Sequence, residues 1–141
     1  MQARIKWVEN AAFMGETGSG HAMVIDGPAD IGGRNLGPRP MELMLLSVGS
    51  CSAVDVVHIL KKSRQDVSGC EVEVKGTRAE TDPKIFTAIH LHFIVSGKGL
   101  GEQQVKRAVQ LSAEKYCSAS IMLGAGGCAI THDYEVKQIA P

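Results

Sequence analysis

Two of the four cysteines, Cys51 and Cys117, have surroundings that suit redox chemistry. Each lies in a stretch with a helical pattern of small and apolar residues, GSCSAVDVV and AEKYCSASIML. Gly49 and the serines beside Cys51 leave room for a substrate next to its sulfur. A reactive thiol also needs a lowered pKa, and hence a nearby cation or helix N-terminus. The alternative is that both thiols are small hydrophobic residues of the core.

The cation for Cys51 has to come from outside its own helix. Cys51 lies about three turns inside the predicted helix, which is too far for the positive N-terminal end of the helix to act on it. The glycine-rich segment before the helix, residues 27–38, is expected to be a long functional loop. Arg34 in this loop and Arg39 just after it are therefore the candidate cations.

Other groups of titratable residues are weaker candidates for a site. Asp55 and His58 share a helix face with Cys51, but His58 would lie ~10 Å along the axis from it, too far for a triad. We expect Asp55 and His58 to form a polar pair at a subunit contact. His90 and His92 lie on one face of a strand with no further ligand nearby in sequence, so no metal site is predicted.

No cofactor is predicted either, because the loop GGRNLG does not have the strand–GxGxxG–helix pattern of dinucleotide sites. With 15 basic and 15 acidic residues the chain has no net field to attract nucleic acid. The opening MQARIKWVENAAF lacks the features of a signal peptide, and polar residues interrupt the longest apolar stretch, so no membrane is expected. We therefore expect a cytoplasmic protein with reduced cysteines, in one domain over residues 1–141.

The hydrophobic pattern predicts the order βββ–α–ββ–α–β, which is an α+β fold. A helix from Pro40 to about Lys62 is apolar on all sides, so it should be packed on more than one side, and a partner subunit could supply the second wall. Trp7 is expected to cover the core. The second helix is predicted from Gln103 to about Leu123. The strands are predicted at residues 5–8, 12–16, 22–26, 70–75, 86–95 and 130–136.

Two segments resemble the cysteine motifs of a known family. PMELMLLSVGSCSA, residues 40–53, resembles the first cysteine helix of the OsmC/Ohr family of thiol-dependent hydroperoxide reductases, and AEKYCSAS, residues 113–120, resembles the second. The opening MQARIKWVE and the closing ITHDYEV are similar to the YhfA-like branch of that family. The similarity covers nearly the whole chain, and the two cysteine motifs together are fairly specific.

The resemblance implies an OsmC-like fold, an intertwined homodimer in which antiparallel sheets flank two long central helices. It implies that Cys51 is the peroxidatic thiol and Cys117 the resolving thiol, in pockets at the subunit interface. It further implies that an arginine and a glutamate hold the first cysteine as thiolate. Arg39 and Arg34 are the candidates for the arginine, and Glu42 is the candidate for the glutamate.

The chain departs from the family pattern in two places. The family glutamate usually follows the helix proline directly, whereas here Met41 has that position and Glu42 comes one residue later. One residue turns a side chain by about 100° on a helix, which puts the contact of Glu42 with the arginine in question. Peroxidase members usually have proline after the second cysteine, and here the residue is Ser118.

These observations predict thiol-dependent reduction of a small organic hydroperoxide, with a dithiol as reductant and without a metal or cofactor. The apolar residues Met41, Met44 and Met122 favour an organic substrate over hydrogen peroxide. Two alternatives stay open: an OsmC-like scaffold that binds a small ligand without significant turnover, and a stress-related dimer with inert thiols. Cys70 and Cys128 lie outside the helix motifs and are expected to be dispensable.

Overall fold

The computed structural model describes residues 1–141. The chain forms two compact units, Met1–Met44 and Leu45–Pro141. The long helix α1 (Pro40–Lys62) begins in the first unit and continues in the second. These bounds confirm the predicted helix. The prediction was possible because a proline at the first helical position and two lysines in the last turn are strong signals for the two ends.

The first unit contains an antiparallel sheet of three strands in the order β1-β2-β3. All three strands agree with the hydrophobic pattern. Trp7 on the edge strand β1 is 68% exposed, so the expectation that it covers the core is wrong for the single chain. No residue of β1 is buried, and the indole nitrogen donates to the carbonyl of Asn10. The strand bounds are β1 (Ala3–Glu9), β2 (Ala12–Thr17) and β3 (Ala22–Asp26).

The glycine-rich loop after β3 is held by the buried carboxylate of Asp26. The backbone amides of Arg34 and Leu36 donate to Asp26 Oδ2, at 3.0 and 3.2 Å. The hydrogen bond from the Arg34 backbone amide is the main cause that lowers the pKa of Asp26, whereas burial tends to raise this pKa. Gly33 allows the close approach of two loop segments, because a Cβ there would lie 1.8 Å from the Gly27 carbonyl oxygen. The loop therefore has a defined course.

The second unit contains a mixed sheet in the order β4-β5-β6 together with most of α1 and two shorter helices. β4 and β5 are antiparallel, but β5 and β6 are parallel, so the expectation of purely antiparallel sheets is wrong. The helices between β5 and β6 form a crossover that returns the chain in the same direction. The bounds are β4 (Asp66–Arg78), β5 (Phe86–Lys98), α2 (Glu102–Leu111), α3 (Ser118–Ala125) and β6 (Ala129–Gln138).

The core of the second unit lies on one face of the central strand β5. This face carries apolar side chains that are completely or almost completely buried, and helices α1 and α2 contribute further buried residues. The strand supplies Ile89, Leu91, Phe93 and Val95, α1 supplies Val48, Val56 and Leu60, and α2 supplies Val105, Ala108 and Val109. Other apolar residues of α1 are open to solvent in the single chain, among them Leu46 at 59% and Val54 at 69% exposure.

The second predicted helix, over residues 103–123, is broken, so the prediction of one continuous helix in this segment is wrong. α2 ends at Leu111, a wider π-type turn spans Ser112–Tyr116, and α3 begins after Cys117. The Cys117 amide donates to the Ser112 carbonyl, at 2.8 Å, which closes the wide turn. Cys117 itself has extended backbone angles and caps α3. Such π-type turns are frequent at functional sites.

Helix α1 also has the length and composition of a membrane-spanning helix. Its most apolar 18-residue window has a mean hydropathy of 1.8. The polar residues that interrupt this stretch are thus too few to bring its mean hydropathy below that of a membrane-spanning helix. Length and composition do not distinguish a membrane span from the central helix of a soluble protein.

Candidate functional site

The structure brings together the two cysteines singled out in the sequence. The sulfurs of Cys51 and Cys117 and one carboxylate oxygen of Asp55 all lie within 4.8 Å of one another. Cys51 and Asp55 project from successive turns of α1, whereas Cys117 comes from the break between α2 and α3. Cys117 is completely buried, Cys51 is half-buried, and both thiols are free. Two thiols at this separation can react with one another after a small movement.

Cys117 lies among hydrogen-bond donors. The Ser52 hydroxyl donates to its sulfur at 3.1 Å, and the Ser120 amide donates at 3.4 Å. Burial alone would raise the pKa of Cys117, but the hydrogen bonds from Ser120, Ser52 and the Cys51 thiol outweigh it and hold the pKa below its ordinary value. These hydrogen bonds therefore stabilise the thiolate form of Cys117 although the residue is buried.

Ser118 has a direct role at the first thiol. Its hydroxyl oxygen lies 3.9 Å from the sulfur of Cys51, within hydrogen-bonding range for sulfur. A proline at position 118, as in the family pattern, would have no hydroxyl to offer. The departure from the pattern thus gives Cys51 a polar neighbour.

Asp55 and His58 do not pair with one another within the single chain. Asp55 Oδ2 accepts a hydrogen bond of 3.1 Å from the hydroxyl of Ser112, and it makes no bond to His58. Ser112 is buried, and the Ser52 carbonyl is a second, more distant acceptor for its single hydroxyl proton, at 3.4 Å. The carboxylate of Asp55 is therefore held beside the thiols.

Gly49 does not serve the purpose that we inferred from the sequence. A Cβ at this buried glycine would lie 2.8 Å from Val74 Cγ2, so the glycine allows α1 to approach β4 closely. The space next to Gly49 is filled by the sheet and cannot hold a substrate. The room near the thiols lies elsewhere on the helix.

An open cleft of about 510 Å³ starts at Asp55. It runs between α1 and the segment that follows α2, and its walls combine apolar, aromatic and polar side chains. They are Asp55, His58, Ile59, Lys62, Ser63, Leu111 and Tyr116. Asp55 belongs both to the thiol cluster and to this cleft, so a ligand in the cleft would approach the thiols from the Asp55 side.

The three charged residues named for the site, Arg34, Arg39 and Glu42, lie in the first unit. Arg34 forms an ion pair with Glu9. Glu42 does reach an arginine: its Oε1 accepts from the Arg39 amide at 2.9 Å and from Nη1 at 3.4 Å. The hydrogen bond from the Arg39 backbone amide is the main cause that lowers the pKa of Glu42. This is the return half of a capping box at the start of α1.

The pKa values of the two remaining cysteines, Cys70 and Cys128, are raised, whereas that of Cys117 is lowered. Burial raises the pKa of the Cys70 thiol on β4, and Glu71 raises it further. Burial also raises the pKa of Cys128. Both groups stay protonated at neutral pH, which makes them poor nucleophiles.

His90 and His92 have carboxylate neighbours that the sequence pattern had not indicated. The parallel pairing of β5 and β6 places Asp133 opposite His92. His92 Nδ1 lies 2.6 Å from Asp133 Oδ1, and its Nε2 lies 3.1 Å from Glu135 Oε2. Asp133 Oδ1 is also 3.0 Å from His90 Nε2. Only a protonated imidazole can donate from both nitrogens, so the cluster favours the charged form of His92.

This cluster predicts a pH-dependent contribution to stability. Hydrogen bonds to Asp133 and then Glu135 raise the pKa of His92 above 6.5, against the effect of burial. Because the folded protein binds this proton more tightly than the unfolded chain does, protonation of His92 stabilises the fold. The stabilisation is complete below the pKa of His92 in the unfolded chain, and it is lost as pH rises through the pKa in the folded protein. We expect His92→Gln to lower the free energy of unfolding more at about pH 5.5 than at about pH 8.5, as measured by urea denaturation. The matched control is His21→Gln, because the ring of His21 has the Ser19 hydroxyl and no carboxylate as its partner. An equal loss for His92→Gln at both pH values would contradict the prediction.

The chain is similar to known proteins in sequence and in structure. The family model described as OsmC-like protein matches residues 32–133. Protein YhfA of Escherichia coli K12 is 52% identical over 136 residues, which are 96% of this chain and 98% of the relative. A hypothetical protein from Aquifex aeolicus VF5 has 35% identity and a TM-score of 0.84, over 99% of this chain and 97% of that one.

A more distant solved structure is the organic hydroperoxide resistance protein OhrB of Bacillus subtilis. It is 19% identical with a TM-score of 0.62, over 96% of this chain and 98% of that one, and this shows a common fold only. The family match and the relatives confirm the resemblance seen in the cysteine motifs. This chain belongs to the OsmC-like family.

Proposed function

We propose that the chain is a thiol-dependent reductase of organic hydroperoxides that uses Cys51 and Cys117. The observation that carries this proposal is the meeting of two free thiols from separate helices next to Asp55, all within 4.8 Å. The hydrogen bonds that lower the pKa of Cys117 add to it. Similar folds occur in proteins named for organic hydroperoxide resistance, from Legionella pneumophila and Bacillus subtilis.

Cys51 is the thiol that meets the peroxide, because it is half-buried whereas Cys117 is completely buried. The Cys51 thiolate attacks the distal oxygen of ROOH and the O–O bond breaks. The alkoxide takes a proton and leaves as ROH, and Cys51 becomes a sulfenic acid. The hydroperoxide is reduced by two electrons, and both electrons come from the sulfur of Cys51.

Cys117 then attacks the sulfenic sulfur, water leaves, and a disulfide forms. A dithiol reductant reduces this disulfide by two thiol exchange steps and is itself oxidised to a disulfide. The sum is ROOH plus dithiol giving ROH, water and the oxidised dithiol. A low pKa suits Cys117 to its step, since the thiolate is the attacking form. The reaction fits a reducing cytoplasm, where dithiols are available.

The assay that tests this function follows consumption of cumene hydroperoxide by the full chain with several dithiols as reductants. Catalytic consumption that exceeds consumption of hydrogen peroxide is the expected result. A thiol that reacts once and slowly would favour the ligand-binding alternative, with the cleft at Asp55 as its site. No reaction of either thiol would favour a structural dimer.

Arg39, or failing that Arg34, is proposed to promote the thiolate of Cys51. A guanidinium near a thiol can lower its pKa by one unit or more, and each unit is worth ~1.4 kcal/mol. Replacement of the correct arginine by methionine should shift the pH profile of Cys51 alkylation to higher pH and slow peroxide attack at neutral pH. The other arginine variant is the matched control. If neither variant moves the profile, the arginine proposal is wrong.

The chain is also proposed to be a homodimer. Helix α1 leaves Leu46 and Val54 exposed, and β1 leaves Trp7 and Ile5 exposed, and a partner subunit that packs on these side chains would bury them. We expect sedimentation to give a dimer at micromolar concentration. The change Val54→Glu should weaken it, whereas Thr77→Glu on β4 should not. A folded monomer of the unmodified chain would refute the proposal.

A further inference from the structure

We propose that Cys51, Cys117 and Asp55 also form a three-ligand site for a thiophilic divalent metal ion such as Zn²⁺. The three ligand atoms lie within 4.8 Å of one another. This site is distinct from the reductase activity in its chemistry, although it uses the same two sulfurs. It requires no substrate and no electron transfer.

The observed separation is close to what a tetrahedral ion needs. Metal–ligand distances of ~2.3 Å to sulfur and ~2.0 Å to oxygen put tetrahedral ligand atoms roughly 3.5–3.8 Å apart. The atoms of this site, which lie within 4.8 Å of one another, therefore have to approach one another by up to about 1.3 Å. Side-chain rotation can supply this movement, because Cys51 and Asp55 come from successive turns of one helix and Cys117 from an extended cap residue.

Hydrogen bonds from outside the cluster orient two of the ligands. The Ser112 hydroxyl donates to Asp55 Oδ2 at 3.1 Å, which orients the carboxylate beside the two sulfurs. Ser52 and the Ser120 amide donate to the sulfur of Cys117 and fix its position. Such outer partners are typical of metal sites, where they orient the ligands and tune their affinity.

The donor set selects the kind of ion. Two sulfurs and one carboxylate suit zinc, cadmium or cobalt, whereas calcium and magnesium require oxygen ligands. Three protein ligands leave the fourth tetrahedral position open. Asp55 also lines the 510 Å³ cleft, so a water or small ligand from the cleft can take that position.

Metal binding and peroxide reduction exclude one another at this site. When the ion binds, both thiols lose their protons to solvent and each sulfur forms a bond to the metal, with no change in oxidation state. The bound ion occupies the lone pairs that would attack a peroxide. Conversely, a Cys51–Cys117 disulfide removes two of the three ligands.

The experiment titrates the fully reduced, full-length chain with Co²⁺ without oxygen and records the thiolate-to-cobalt charge-transfer band. We expect saturation at one ion per chain, displacement by Zn²⁺, and protection of the half-buried Cys51 from alkylation by bound Zn²⁺. Cys51→Ser and Cys117→Ser should each lose at least half of the band per chain. Asp55→Asn should weaken Co²⁺ binding by tenfold or more, while Ser63→Ala, another cleft residue, should not.

The matched control is the double variant Cys70→Ser, Cys128→Ser, which should bind as the unmodified chain does. Absence of a charge-transfer band in the unmodified chain would overturn the site, and so would a band that depends on Cys70 or Cys128. Unchanged affinity in a folded Asp55→Asn variant, checked by circular dichroism, would remove Asp55 and with it the three-ligand site.

The two proposals for these sulfurs fail separately. A chain that binds Co²⁺ through Cys51 and Cys117 but consumes no hydroperoxide would overturn the reductase and leave the metal site standing. A chain that turns over cumene hydroperoxide and gives no charge-transfer band would overturn the metal site alone. If both hold, saturating Zn²⁺ should stop hydroperoxide consumption, and a chelator should restore it.

Discussion

Replacement of Cys51 by serine is expected to lower hydroperoxide consumption on the order of 10³-fold or more, since loss of a nucleophile removes the whole reaction path. A serine hydroxyl is not ionised at neutral pH and does not attack the O–O bond as a thiolate does. Cys51 is the accessible member of the pair, so the completely buried Cys117 cannot take its place. The measurement is steady-state consumption of cumene hydroperoxide with a dithiol.

The control for this experiment is already in the chain. Cys70 and Cys128 are thiols whose pKa is raised by burial, so they stay protonated and should not react with peroxide. The double variant Cys70→Ser, Cys128→Ser should keep its turnover within a few-fold of the unmodified chain. A loss as large as that of Cys51→Ser would mean that the active pair has been chosen wrongly.

The elements that the sequence predicts well are those with strong local signals. Helix α1 has proline at its start and lysines at its end, and both ends were predicted. The turn at Gly18-Ser19-Gly20 likewise separates β2 from β3. In each case the deciding interactions are between neighbours in sequence, so the pattern alone is sufficient.

The break at Cys117 could not be predicted in the same way. No proline or glycine interrupts residues 103–123, and the apolar spacing is that of a continuous helix. The break is stabilised by contacts of Cys117 with Ser52, which comes from a distant part of the sequence, and with Ser120. The hydrogen bonds from Ser52 and Ser120 also lower the pKa of Cys117, so the backbone break and the electrostatics of this thiol share two of their contacts.

The sequence predicted the two cysteines of the candidate site, but it did not predict their polar hydrogen-bond partners. Cys51 and Cys117 stand out by residue type, but serines are common, and Ser52, Ser112 and Ser120 carry no signal of their own. Asp55 was visible on the Cys51 face, and its true partner on the segment after α2 was not. The carboxylates beside His92 were missed because they depend on the parallel register of β5 and β6.

The second large effect is expected from Cys117→Ser. Without the second thiol the sulfenic acid on Cys51 has no partner, so the first turnover should proceed and the following ones should fall on the order of 10²-fold or more. Dimedone should label Cys51 in this variant after one equivalent of hydroperoxide, and no intramolecular disulfide should form. A variant that turns over at the unmodified rate would show that the external dithiol reduces the sulfenic acid directly, and Cys117 would lose its resolving role.

A matched variant, Ser52→Ala, separates the presence of the second thiol from its ionisation. The Ser52 hydroxyl donates to the Cys117 sulfur at 3.1 Å, and its bond is one of those that lower the pKa of Cys117. Removal of this donor should raise that pKa, so a smaller fraction of Cys117 is thiolate at neutral pH. Disulfide formation should then slow at neutral pH and recover as pH rises, whereas Cys117→Ser recovers at no pH. A Ser52→Ala profile that coincides with that of the unmodified chain would mean that Cys117 ionisation does not limit the second step.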